Sequence, residues 1–120
     1  MAVLNFLQRS LENHAEKLCH YRNQNTLTDV YKVDFVLSSH DVIFIQQHYR
    51  LDSNHIEKTS TIARLFWNES KEMWSLEVPH RKNLPYDEVK WGPYPFKAQS
   101  LHLDKLLDEL RHDPQSYFWS

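Results

Sequence analysis

Apolar residues recur every three or four positions at the start of this chain, every second position through its middle, and every three or four again near its end. Those periods match two backbone geometries. Side chains stack at i+3 and i+4 on a helix and alternate across a strand. Leu4, Leu7, Leu11, Ala15, Leu18 and Cys19 form the first stripe, with Arg9, Glu12, Glu16 and Lys17 off it. The spacing predicts an amphipathic helix over residues 3–23, ended by the polar run Asn23-Gln24-Asn25-Thr26. The period then becomes two: Tyr31, Val33, Phe35 and Leu37 share one face, Lys32 and Asp34 the other. Ser38-Ser39-His40-Asp41 reads as a turn into a second strand over 42–50.

A polar loop over 51–58 precedes a third strand at 59–67, and the turn 68–72 leads to a fourth at 73–78, where Trp74, Leu76 and Val78 alternate with Ser75 and Glu77. A short fifth strand is expected near Tyr86 to Lys90, confined by Pro85 to an edge or a late start. Ser100 is placed to cap a closing helix striped by Leu103, Leu106, Leu107 and Leu110, and Asp113-Pro114 ends it. The aromatic tail Tyr117-Phe118-Trp119 is expected to dock on the sheet. The order predicts an α+β fold: an N-terminal helix, a four- to five-stranded antiparallel sheet and a C-terminal helix, in a single domain over residues 1–120.

Gly92 is the one glycine in the sequence, where average usage is about 7%. A chain so poor in glycine is expected to avoid positive φ. It cannot write a phosphate-cradling Walker loop or a dinucleotide fingerprint, both of which need several glycines. Gly92 lies in Trp91-Gly92-Pro93-Tyr94-Pro95-Phe96. Two prolines with φ fixed near −65° make this stretch a stiff, extended connector from the sheet edge to the last helix, outside regular pairing. Its rings are expected to fold back over the sheet. A peptide-binding lip is the competing reading.

Net charge is −2 with a pI near 6.4, so no strong field favours a polyanion. A lone cysteine, Cys19, leaves no internal disulfide and points to a reducing compartment. The first residues lack a basic segment followed by a continuous apolar run, and no stretch approaches the ~18 apolar residues of a membrane span. A soluble, cytoplasmic protein is the expectation.

Little in the sequence points to catalysis. Among its eight histidines, His14 and His20 are roughly 240° apart around a helix and diverge. The other histidines lack the spacing of a zinc site. No metal and no cofactor are expected. Cys19 lies on the apolar stripe, and His20 points about 100° away, so a cysteine nucleophile is disfavoured. No nucleophile elbow marks a catalytic serine. Asp87-Glu88 and Asp108-Glu109 read as solvated surface. Arg64, Phe66, Trp67, Trp74, Arg81, Lys82 and Trp91 could furnish a single-strand-binding surface. The negative net charge weakens the phosphate attraction that such binding needs.

Cys19-x-x-Arg22, Arg50-x-Asp52, Ile62-Ala63-Arg64 before Trp67, Trp74-x-Leu76 and Asp113-Pro114-x-x-x-Phe118-Trp119 together carry a resemblance. The chain resembles a small bacterial family of uncharacterised proteins, domain of unknown function number three thousand and twenty-four. The resemblance spans nearly the whole chain and implies a compact domain without a known activity. Ser116 stands where the family tends to have glycine, Leu51 where it tends to have tryptophan, and Pro85-Tyr86-Asp87-Glu88 is more acidic than its counterpart. The resulting expectation is a non-catalytic accessory or interaction domain that meets a protein partner on an exposed sheet face or edge. Arg64, Trp67, Tyr86 and Trp91 are the candidate binding residues. Single-stranded nucleic acid on the same face is the alternative, and a small ligand or enzymatic pocket between helix and sheet is third.

Overall fold

The opening apolar stripe becomes helix α1, Ala2–Gln24, in a computed structural model that describes residues 2–24, 31–38, 41–49, 56–80 and 89–119. Leu11, Ala15, Leu18 and Cys19 enter the core, while Glu12, Glu16 and Lys17 stay exposed. The alternating middle becomes β1 (Tyr31–Leu37), β2 (Asp41–Tyr49), β3 (Ile56–Asn68) and β4 (Met73–Pro79). Each pairs antiparallel with the next, in the order β1-β2-β3-β4. Helix α2 (Leu103–His112) buries Leu103, Leu106, Leu107 and Leu110. The fold is α+β, as the periods imply.

Buried residues of both helices share one core cluster with Val33, Val42, Phe44, Leu65, Leu76 and Val78. Both helices therefore lie on the same face of the sheet. A register shift sets Phe44 against Ala63 and Ile45 against Thr61, leaving Ile62 as the extra residue of a β-bulge. Ile62 and Ala63 both enter the core, at 2% and 0% exposure. Beyond the bulge, Arg64 and Phe66 fall on the face opposite the helices.

Several local expectations need correction. Strand β3 starts at Ile56 rather than at residue 59, because strand pairing is made by backbone groups and tolerates polar side chains such as Lys58, opposite His48. The fifth strand, β5, is Trp91–Pro93; Val89 and Lys90 are outside any strand, and Tyr86 to Glu88 lie outside the described residues. The stiff stretch expected to avoid pairing thus supplies β5. Gly92 sits opposite Val78, and the ring of His80 packs 3.3 Å from where a Cβ on Gly92 would stand. Close approach, not positive φ, is what the glycine provides.

Ser100, expected as a helix cap, belongs instead to an unanticipated strand, β6 (Gln99–Ser100), which pairs with β4. His102 is the N-cap and makes no side-chain cap bond. Between β5 and β6 the chain leaves the sheet and returns. Leu76 accepts a bond from the Tyr94 N–H at 3.0 Å and donates its own N–H to the Ala98 carbonyl at 2.8 Å. Tyr94 turns inward to 1% exposure, its ring 4.7 Å from Phe118 and 5.3 Å from Tyr117. Its hydroxyl donates to Glu109. The Trp-Gly-Pro-Tyr-Pro-Phe stretch is therefore a corner anchored by one ring, while Phe96 stays exposed.

The expectation that the chain avoids positive φ is also corrected. Glu72, Asp113 and Ser116 have φ of 51°, 44° and 51°. At Asp113 the conformation closes α2, with the Asp113 N–H bonded to the Glu109 carbonyl. Its carboxylate then accepts bonds from the amides of Tyr117, Phe118 and Trp119. Trp119 completes the closure by donating its indole N–H to the Leu110 carbonyl at 2.7 Å. Arg22 of α1 lies 5.0 Å above the Trp119 ring and donates to the Arg111 carbonyl. The tail so held packs on Tyr94 and the helices, which refines the expected docking on the sheet.

Ser116 donates its backbone N–H to the Asp113 carbonyl at 3.0 Å, a bond that glycine would keep. An L-residue in the left-handed region costs about 1–2 kcal/mol, and glycine's extra unfolded-state freedom returns only part of that. Ser116→Gly is expected to raise stability by about 0.5–1 kcal/mol, measured by urea unfolding.

Candidate interaction face of the sheet

Alternation on β3 carries Arg64 and Phe66 to the face away from the helices, and the register places Glu77 beside Arg64 and Ser75 beside Phe66. Asp41, which opens β2, is paired with Phe66 from the other side. Trp91 joins them from β5, opposite Pro79. The guanidinium carbon of Arg64 lies 5.0 Å from the Phe66 ring centroid and 5.1 Å from that of Trp91. Two aromatic faces thus meet one cation, an attraction that follows from the ring quadrupole. Arg64 also bonds the Glu77 carboxylate through Nη2, and its Nη1 is 3.7 Å from Asp41 Oδ2.

These contacts fix the guanidinium plane but leave two buried polar atoms on this face without a hydrogen-bond partner, Arg64 Nε and Ser75 Oγ. Ile43 and Ile45 lie among the same outward positions and are each 8% exposed. The surface is partly apolar, with Arg64, Phe66, Glu77 and Trp91 half-buried around it. One arginine against two carboxylates gives the cluster a formal charge of −1. That sign repels phosphate, whose attraction to basic side chains dominates nucleic-acid affinity.

Of the residues named from the sequence, Arg64 and Trp91 come together. Trp67 does not join them. It lies on the helix-covered face and packs edge-on against Trp74, with centroids 5.2 Å apart. Tyr86 lies outside the described residues. Phe66 is visible from its i+2 spacing to Arg64. Asp41 and Glu77 required the strand register, which the sequence does not state.

Cys19 and His14 sit in other surroundings. Burial, with Asp34 nearby, pushes the Cys19 thiol up to about 12, so little nucleophilic thiolate forms near neutrality. His14 holds the Ser10 carbonyl through Nδ1 at 2.7 Å, and its Nε2 lies 3.6 Å from Asp104, linking α1 to α2. Among the described residues, no three histidine, cysteine or acidic side chains gather where a metal could bind. No described helix is long and apolar enough to cross a membrane.

The sequence model for the domain of unknown function DUF3024 matches residues 3–120. The chain belongs to the DUF3024 family. No curated protein and no solved structure matches it. Within this DUF3024 domain the residues that carried the resemblance divide by role. Arg22, Asp113, Phe118 and Trp119 meet where α1 packs against the end of α2, and Cys19, Trp74 and Leu76 fill the core. Arg64 alone among the described motif residues stands on the open sheet face beside a second aromatic, Trp91.

Proposed function

We propose that this DUF3024 domain is a non-catalytic interaction module that receives a protein partner on the sheet face opposite its helices. The observation that carries this reading is the clamping of Arg64 between Phe66 and Trp91 while Asp41 and Glu77 hold its charged end. Aromatic rings and arginine are the side chains that most often anchor protein interfaces. A guanidinium already ordered by four neighbours loses little conformational freedom on binding. The raised Cys19 thiol and the structural use of the motif residues favour a binding role over catalysis. The single buried thiol fits a reducing compartment, so a cytoplasmic setting belongs to the same reading.

A photo-reactive residue at Gln99, on this face, and another at Glu12, on the exposed side of α1, test the proposal in extract from the native host. A discrete protein adduct is expected from the Gln99 position and not from the Glu12 position. Combining Arg64→Ala with Trp91→Ala is expected to abolish the adduct while the melting temperature shows that the domain remains folded. Equal adducts from both positions, or none from the sheet face, overturn the reading. A salt-sensitive nucleic-acid adduct favours single-strand binding instead.

A further inference from the structure

The other place where a sheet meets partners is its edge, and among the described residues β1 is an outer strand of this one. In an antiparallel ladder alternate residues turn both backbone groups toward one neighbour and then the other. Val33 turns its pair away from β2. Its N–H donates to Asn23 Oδ1 at 2.7 Å, and its carbonyl accepts from Asn23 Nδ2 at 3.0 Å. The Asn23 amide therefore gives Val33 what an opposing strand residue would give. Two positions along, the Phe35 N–H is taken by the Asp34 carboxylate at 2.8 Å. Just past the strand, Gln8 donates to the Ser38 carbonyl at 3.1 Å. Side chains from near both ends of α1 thus reach the main chain along β1.

We propose that Asn23, assisted by Asp34, guards this edge against antiparallel pairing with β1 of a second copy of the chain. The occupant follows from the sequence of the edge itself. Open strand edges template pairing with another chain unless side chains block them, and identical strands meet about a two-fold axis. With Val33 on that axis, Lys32 of each copy faces Asp34 of the other, and Tyr31 faces Phe35. Both charged contacts are complementary, and both Val33 residues exchange their two backbone bonds. No other residue placed on the axis sets Lys32 against Asp34.

Asn23→Asp tests the guard with almost no change of shape. It keeps an acceptor for the Val33 N–H but presents a carboxylate oxygen to the Val33 carbonyl, where the amide donated. Asn23→Ala removes both bonds and serves as the second variant. Circular dichroism establishes that each is folded. At low concentration, amide exchange at Val33 is expected to quicken by about tenfold or more in Asn23→Ala. As concentration rises, sedimentation equilibrium is expected to show a dimer in which Val33 is protected again. The unsubstituted chain is expected to show no such dimer over the same range. Adding Asp34→Lys sets lysine against lysine and is expected to remove the dimer while Val33 stays open. Unchanged exchange at Val33, an open Val33 without a dimer, or a β1-paired dimer of the unsubstituted chain overturns the proposal.

Discussion

Asp113→Ala is expected to lower stability by about 3 kcal/mol, a drop of about 10 °C or more in melting temperature for a domain of this size. The carboxylate of Asp113 is the common acceptor for three successive amides, those of Tyr117, Phe118 and Trp119. Charge-assisted bonds each contribute about 1.5–3 kcal/mol, and they are not additive when one group serves all three. Removing the acceptor leaves the donors facing one another around an empty position. It also removes the anion beside Arg22, whose guanidinium is lowered from its ordinary value first by burial and is pulled back up by Asp113. Loss of the Trp119 indole bond to Leu110 should follow, visible as a red shift of tryptophan emission. Asp113→Asn keeps one good acceptor and is expected to cost about half as much. Equal stability of the alanine variant and the unsubstituted chain would show that the tail docks by apolar contact alone.

Tyr94→Ala is the second large effect, expected to cost about 3–5 kcal/mol. This ring is almost wholly buried and touches Phe96, Tyr117 and Phe118. It alone draws the corner between β5 and β6 into the core. Its removal leaves a cavity the size of a phenol, which the two prolines beside it keep from collapsing. Tyr94→Phe separates packing from polarity. The hydroxyl bonds Glu109 at 3.3 Å, a long contact, so its loss is expected to cost no more than about 1 kcal/mol. Burial, with Glu109 beside it, pushes the phenol up to about 12, so Tyr94 is expected to ionise above the ordinary phenol range on alkaline titration. Urea unfolding of the two variants side by side measures the difference. Similar losses from both would assign the anchoring to the hydroxyl.

The periods of the apolar residues reveal the helices and four of the strands, because burying one face forces a repeat that survives in the sequence. They also place Trp74, Leu76 and Val78 inward correctly. Boundaries set by backbone pairing alone leave no such trace. Strand β3 extends back through polar residues, and β6 consists of Gln99 and Ser100, neither of which signals a strand. The bulge at Ile62 shows the same blindness, since an unpaired extra residue shifts the register without altering composition. For the candidate face, Arg64 and Trp91 were legible as residue types, yet their meeting depends on the three strands β3, β4 and β5 being in register. Trp67 looked equally suitable. One position of alternation sends it to the opposite side, where it packs on Trp74.

The contact between Arg22 and the Arg111 carbonyl spans 89 positions of sequence. Hairpins β1–β2 and β3–β4 close short loops, and short closures are fast and entropically cheap. Joining α1 to α2 must wait for the intervening sheet to bring them within reach. The kinetic order of assembly is therefore expected to run from the centre of the chain outward, with the helix pair the last layer to set. Weakening that late contact should chiefly hasten unfolding and leave the refolding rate nearly unchanged.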